Sequence, residues 1–380
     1  MQKSVMKALI VRLFAFALFN AVLGVCHASS LGDNQTTKLK IGVIGLTHTH
    51  VHWIFESEKR GDIEIVGIVE SNLELAERYA KRHGYDMAKV YPTMDELIGK
   101  TSPQAFAAFG SIREHLEVVQ KAAPLGIHVM VEKPLAINME HANKMYELAK
   151  QHNIHLLTNY ETTWYPSVHE LKKVLDAGAV GELRKLIVND GHRGPVKIGI
   201  NSEFLEWLID PAENGGGAIV DFGCYGANLA TWLFNGEKPQ YVTAVTHQLQ
   251  KENNPLVDDE ATIILSYPQA KVTIQASWNW PIGRKDMQAY GLKGVLYSDN
   301  RYDFRQRVAK GYDNFDETQK TLPERPYPFD DPFSLFKAVI EGSVTLDKND
   351  LSSLDNNMIV MEILDAARIS AEEGTSVALN

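Results

Sequence analysis

Cysteine is almost absent from this sequence, with Cys26 and Cys224 the only two in 380 residues. A disulfide framework and metal sites built on cysteine pairs are excluded with it, so the fold must rest on its core. No low-complexity stretch and no fixed-period repeat is present, which removes the disordered and solenoid classes. Clustered cations are missing as well. With 38 Lys and Arg against 48 Asp and Glu, the formal net charge of −10 argues against a nucleic-acid partner, because phosphate neutralisation needs grouped Lys and Arg. The apolar run from Leu13 to Cys26, interrupted by Asn20 and Gly24, falls short of the roughly 20 residues of a membrane span. No twin arginine accompanies it.

What precedes and follows that run is informative. Lys3, Lys7 and Arg12 flank it, and Cys26-His27-Ala28 closes it ahead of Ser29 and Ser30. A basic start, a short apolar stretch and small residues at the end describe a secretory signal peptide over residues 1–28. The expectation is export by the general secretion route, a periplasmic location, and a mature chain with no membrane insertion. A lipid anchor on Cys26 is the rival, and Val25 before it fits that poorly. Cleavage near Ala28 leaves Cys224 as a lone thiol.

With 44% hydrophobic and 23% charged residues, the rest of the chain can bury a large core, and its length predicts two domains. Leu39 to Gly45, Ile63 to Val69, Gln104 to Gly110, His128 to Val131 and Ile154 to Thr158 read as short buried strands separated by helix-length segments, among them Asn72 to Arg82. That alternation predicts an α/β fold with a doubly wound parallel sheet. Ligands meet such sheets beyond the carboxyl ends of the strands, with pyrophosphate at the first strand–helix turn. Here that turn is Gly45-Leu46-Thr47-His48-Thr49-His50, which keeps only the first glycine of G-x-G-x-x-G. Thr47 stands where a side chain crowds a phosphate, although its hydroxyl can donate to one. Glu70 ends the second strand, where an acid grips ribose hydroxyls and repels a 2′-phosphate, favouring NAD over NADP. A plain surface carboxylate is the open alternative. If the three histidines start a helix, His48 and His52 share a face and His50 does not, so no metal site is expected and His48 is assigned to the cofactor's anion.

Val131-Glu132-Lys133-Pro134-Leu135 and Gly215-Gly216-Gly217-Ala218-Ile219-Val220-Asp221-Phe222-Gly223-Cys224-Tyr225, in that order, resemble the Gfo/Idh/MocA oxidoreductases. The segment from Ile363 to Gly374 resembles that family's closing helix. The resemblance implies a Rossmann domain over residues 39–158. A mixed α/β domain with an open sheet then follows over residues 159–380, with the closing helix at 358–373. It further implies bound NAD, a small carbohydrate substrate and a homo-oligomer. Lys133 then stands beside nicotinamide and substrate, Asp221 orients it, and Tyr225 takes the place usually held by a catalytic histidine, as in the glucose–fructose oxidoreductase branch. Gly45, Thr47, His48, Glu70, His115 and Glu132 fall to the cofactor.

Oxidising a sugar hydroxyl needs a group to accept its proton while hydride leaves for nicotinamide. Lys133 and Tyr225 are the candidates, and a phenol needs cationic help to act as a base. His192 and Arg193, in a polar stretch from Asn189 to Pro195 read as a loop, are candidates for substrate contact. Trp278 and Trp280 are candidates for stacking on a sugar ring, with sheet packing or a dimer contact equally open. Three activities remain: a sugar or polyol dehydrogenase, a redox-neutral NAD-dependent glycosidase, and a non-catalytic sugar-binding protein.

Overall fold

Six parallel strands form the first layer of this computed structural model, which describes residues 38–379. The expected leader at residues 1–28, with Cys26, lies outside the described residues. The strands are β1 (Leu39–Ile44), β2 (Ile63–Val69), β3 (Val90–Tyr91), β4 (Ala105–Ala108), β5 (His128–Glu132) and β6 (Leu156–Asn159), in the order β3-β2-β1-β4-β5-β6. Every pairing is parallel. Such strands are covered on both faces, which is why they read as apolar runs: Ala105, Phe106, Ala107 and Ala108 of β4 are all buried. The strand order reverses between β1 and β4, the switch point where open α/β sheets bind ligands. The two strand ends touch there. Gly45 has φ +77°, and a Cβ on it would come within 2.7 Å of the Gly110 nitrogen.

The predicted sheet is present, and only the two-residue β3 escaped the sequence reading. The helix after β2 runs over Leu73–His83, capped by Asn72 accepting from the Leu75 N–H and closed by Gly84 at φ +81°. The helix after β1 begins at Val51, so His48 and His50 belong to the turn before it.

The second sheet holds β7 (Leu183–Gly191), β8 (Tyr241–His247), β9 (Glu260–Ser266), β10 (Lys271–Ser277), β11 (Arg284–Gly291), β12 (Gly294–Ser298), β13 (Asp303–Ala309), β14 (Phe315–Thr321) and β15 (Val377–Ala378). Their order is β14-β13-β12-β11-β7-β10-β9-β8-β15. β7 runs parallel to β10, and the remaining pairs are antiparallel. Burial alternates along β9: Ala261, Ile263 and Leu265 are buried while their neighbours are half-buried, the pattern of a sheet with one face on the core. That face lies under the helix Gly223–Leu233, so closely that a Cβ on Gly226 would meet Ile274 at 2.5 Å.

One expectation needs correction. Asn189, Asp190 and Gly191 are the end of β7 rather than a loop, paired with both β10 and β11. The chain also returns to the first sheet after residue 158. Phe333, Leu335, Phe336 and Val339 of the helix Pro332–Ile340 pack in one cluster with Ile41 and Val43 of β1. The closing helix runs over Leu354–Glu373, starting earlier than expected because Ser353 caps it. Among the described residues, no helix is long and apolar enough to cross a membrane.

Candidate active site

The glycine-rich segment acts by letting two backbones meet. A Cβ on Gly217 would collide with the Asp258 carbonyl, and the Asp258 carboxylate accepts from the Gly217 and Ile219 N–H groups at 3.0 and 2.7 Å. This fixes the short helix Ala218–Asp221, whose last residue projects toward β5. Lys133, just beyond β5, donates to the Asp221 carbonyl at 3.0 Å and forms a shorter ion pair with its Oδ1. The other carboxylate oxygen, Oδ2, accepts the Trp278 indole N–H at 2.9 Å.

Both partners of that ion pair are buried. Burial pulls the Lys133 pKa down, but the Asp221 carboxylate outweighs it and holds it above the ordinary lysine value. Burial likewise pushes Asp221 up, and Lys133 holds it below the ordinary range. The pair is therefore ionised. Tyr225 lies one helical turn on from Asp221, with the Lys133 and Lys285 ammonium groups each 5.3 Å from its ring centroid. Burial, then Glu161 and the other nearby acidic groups, pushes its phenol well up, so it is protonated.

Lys133, Asp221, Tyr225, His48, His50, His192 and Lys285 line one cavity of about 170 Å³. His48 thus faces this cavity rather than the cofactor's phosphates. The reason is local: His48 Nδ1 accepts the His50 backbone N–H at 3.1 Å, which ties up a donor expected to face an anion. His50 in turn sends Nδ1 to Glu132 Oε2 at 2.9 Å. His52 points away and meets the His83 ring at 2.7 Å. The expected pairing of His48 with His52 is therefore overturned, because the helix begins only after His50. His48, His50 and Glu132 do place one possible ligand atom each within 4.8 Å of one another. The lone pair on His48 Nδ1 is already committed to a backbone N–H, a poor start for coordination. Glu132 serves this histidine cluster and was assigned to the cofactor only by resemblance.

The remaining cofactor candidates line a cleft of about 750 Å³ at the switch point: Gly45, Thr47, Glu70 and His115, with Gly110 opposite. A dinucleotide fits that volume. The cleft also carries His115 Nε2, buried and without a protein partner. Its Nδ1 reaches the Leu135 carbonyl at 3.1 Å, and burial lowers its pKa to about 4. Thr47 does not offer its hydroxyl hydrogen to a phosphate. That group donates to the Phe109 carbonyl at 3.3 Å and accepts from Trp207 at 2.9 Å. Glu70 is no loose surface acid. Its two oxygens accept from the Leu46 and Asn72 N–H groups at 3.0 and 2.8 Å, joining the turns after β1 and β2. Each oxygen keeps a lone pair for a ribose hydroxyl.

Residues 39–160 match the family described as "Oxidoreductase family, NAD-binding Rossmann fold", and residues 168–297 match the "GFO/IDH/MocA C-terminal domain". The chain belongs to the Gfo/Idh/MocA oxidoreductase family. It is similar to trans-1,2-dihydrobenzene-1,2-diol dehydrogenase of Xenopus tropicalis, 27% identical over 62% of this chain and 67% of that one. The rabbit (Oryctolagus cuniculus) protein of the same name is 28% identical, over 57% of this chain and 61% of its own length. Aldose-aldose oxidoreductase from Caulobacter crescentus, solved with glycerol, superposes with a TM-score of 0.75 at 21% identity, covering 90% of this chain and all of that one. An inositol dehydrogenase homologue from Azotobacter vinelandii, solved with NAD+, gives 0.75 at 16% identity, covering 90% and 98%. At such identities these two structures speak for the fold alone.

Like other members of the family, this oxidoreductase carries a dinucleotide-binding Rossmann domain, and what distinguishes it lies in its own side chains. His192 is in the cavity, its Nδ1 accepting the Gly194 N–H at 3.0 Å and burial lowering its pKa to about 4. Arg193 is exposed and does not line the cavity. Trp278 is fully buried behind Asp221, so it stacks on no sugar. Trp280 packs under the Arg284 guanidinium, 4.4 Å from its ring centroid. Two residues that sequence reasoning passed over are Lys285, on β11, and Glu161, after β6, an ion pair at 2.5 Å. Opposite Lys285 in register is Asp190, buried with neither carboxyl oxygen bonded, which burial keeps protonated. The pairing of β11 with β7 brings Lys285 and Asp190 together beside Tyr225.

Proposed function

We propose that this protein is an exported NAD-dependent oxidoreductase that moves hydride between a CH–OH group of a sugar or sugar-derived polyol and nicotinamide. The observation that carries the reading is the ionised Lys133–Asp221 pair beside Tyr225 in one small cavity that also holds His48, His50 and His192. Such a cavity offers several donors to hydroxyl oxygens, and its size suits one sugar ring or a short polyol. The relatives similar in sequence are named as dehydrogenases of trans-1,2-dihydrobenzene-1,2-diol, a hydroxylated ring, which supports a CH–OH substrate.

NAD bound in the cleft supplies the hydride acceptor. This chain's residues hold the substrate oxygen through Lys133 and Tyr225, both protonated. They also keep the pair dry and oriented through Trp278. Preference for NAD over NADP follows from the acids in the cleft, where Glu70 and Glu206 oppose a 2′-phosphate while Glu203 is paired with Arg78 at 2.8 Å. Export to the periplasm is part of the proposal and rests on residues 1–28; a purified mature protein that still begins at Met1 would remove it.

The deciding experiment incubates the purified protein with NAD and a panel of hexoses, uronic acids, polyols and glycosides. Reduced-nicotinamide absorbance is followed. At least one polyol or sugar should reduce the cofactor; a panel with no reduction overturns the reading, and glycoside cleavage without reduction puts the redox-neutral glycosidase in its place.

A further inference from the structure

A dehydrogenase site needs a lone pair for the hydroxyl proton, and the two groups the family resemblance offers do not hold one. The Lys133 ammonium is committed to Asp221, and the Tyr225 phenol is buried among acids. The imidazoles of His48 and His192 accept backbone N–H groups at Nδ1, so in the neutral form each carries its hydrogen on Nε2 and acts as a donor. Glu161 is taken by Lys285 and by the Tyr165 hydroxyl, each at 2.5 Å.

His50 differs. Its Nδ1 meets Glu132, a carboxylate 1% exposed. Burial would raise that acid's pKa, but His50, His48 and the bonds it accepts prevail and hold it at about 2. An ionised carboxylate only accepts, so in neutral His50 the hydrogen is on Nδ1 and the lone pair on Nε2. The orientation is built in depth. The other oxygen of Glu132 accepts from Asn159 Nδ2 at 2.8 Å, and Asn159 Oδ1 accepts the Trp164 indole N–H at 3.0 Å. The imidazole stacks on Trp53, with centroids 3.9 Å apart and planes at 15°, and it meets the edge of His48 at 4.5 Å. Its side chain is 16% exposed and lines the cavity that holds Lys133 and Tyr225. No protein group among the described residues bonds its Nε2. A carboxylate fixing an imidazole so that the far nitrogen faces a reaction cavity is the arrangement of an activated general base.

We propose that His50, oriented by Glu132, is the base that takes the substrate's hydroxyl proton, an assignment that rests on the oxidoreductase reading above. The hydroxyl proton passes to His50 Nε2, and the O–H electron pair becomes the second bond of the new carbonyl. The C–H pair leaves as hydride for NAD+, which is reduced as the alcohol is oxidised. Lys133 and Tyr225 donate to the substrate oxygen throughout, and Glu132 balances the imidazolium. The charged groups that face His50 are Glu132 on β5, Lys133 after it and Glu161 after β6. His48 is on its own turn.

The test compares the full-length protein with His50→Ala and Glu132→Gln. In His50→Ala, kcat for alcohol oxidation should fall roughly 100-fold or more, the range for one acid–base group, with KM within about threefold. The loss of rate on the acid side of the wild-type pH profile should disappear, and added imidazole should restore at least tenfold of the rate. A variant within threefold of wild type, or a loss that imidazole leaves unchanged, overturns the proposal. Nitrogen NMR of the histidine-labelled protein reads the same point without turnover. His50 should show hydrogen on Nδ1 and none on Nε2 in the wild type, and Glu132→Gln should abolish that preference. The reverse tautomer in the wild type overturns the proposal even if His50→Ala misfolds. If no substrate reduces NAD while the tautomer is as stated, it is the oxidoreductase reading that fails.

Discussion

Trp278 gives its indole hydrogen to the one oxygen of Asp221 that Lys133 leaves free, at 2.9 Å. The contact joins a residue just past β10 to the short helix after the glycine triplet, so the sheet itself sets the carboxylate's angle. Trp278→Phe keeps most of the volume and leaves a buried charged oxygen short of a partner. Stability should fall by about 1.5–3 kcal/mol, the cost of removing a hydrogen bond to a buried charged group. Turnover should fall by about tenfold as Asp221 loses its fixed orientation. Urea unfolding and steady-state kinetics on the same preparation check both, and an unchanged unfolding midpoint would show the bond to be idle.

The ion pair gives a sharper contrast. Lys133→Met leaves Asp221 buried without its cation, which should destabilise the fold by about 3–5 kcal/mol. It should also lower turnover roughly 100-fold. Adding Asp221→Asn removes the stranded charge, so the double variant should recover most of the stability and none of the turnover. If the double variant is no more stable than Lys133→Met alone, the pair is not the buried unit described here.

Much of this was readable in advance, for physical reasons that differ by residue. The first sheet was legible because parallel strands covered on both faces write themselves as apolar runs, as β4 does. Lys133, Asp221 and Tyr225 stood inside segments with a strong family likeness. The place of His50 depends on where a helix starts: the helix begins only at Val51, so His50 belongs to the turn before it and lines the cavity. Lys285 leaves no trace in the sequence, since its place opposite Asp190 across strands β7 and β11 is a property of register, and Glu161 leaves none because its partner Lys285 is 124 residues away. For Trp278 the sequence leaves sugar stacking and sheet packing both open, because its alternation with Trp280 does not reveal which face of the sheet is covered; the structure gives packing.

Glu70 links cofactor choice to the framework. Because its oxygens also hold the Leu46 and Asn72 N–H groups, Glu70→Ala should loosen both turns as well as remove the ribose contact. NAD affinity should drop by about 1–3 kcal/mol, and the gap between NAD and NADP should narrow as a negative charge leaves the cleft. Fluorescence titration with the two reduced cofactors measures this. Equal affinity of the unaltered protein for both would show that Glu70 meets no ribose.

The last prediction concerns acid. His115 is fully buried, and burial lowers its pKa from 6.5 to about 4. Its folded pKa is thus depressed: above about pH 6.5 both states are neutral and the histidine costs nothing. Between that pH and about 4 the unfolded chain takes up a proton that the fold refuses. Stability should therefore decline as pH falls through this window, with His115 contributing on the order of 3 kcal/mol by pH 4. His192, also lowered to about 4 by burial, adds to the slope. Glu132, whose folded value is about 2, adds a separate loss only below about pH 4.5. Its share is thus resolvable from that of the histidines. His115→Asn keeps a donor at the Nδ1 position for the Leu135 carbonyl and cannot be protonated, so its stability should decline less steeply from pH 6.5 to 4. Urea unfolding at half-unit steps between pH 7.5 and 4 reads the two slopes. Parallel curves would mean that the His115 ring takes up its proton as readily in the fold as in the unfolded chain, and that the cleft around Nε2 is wet.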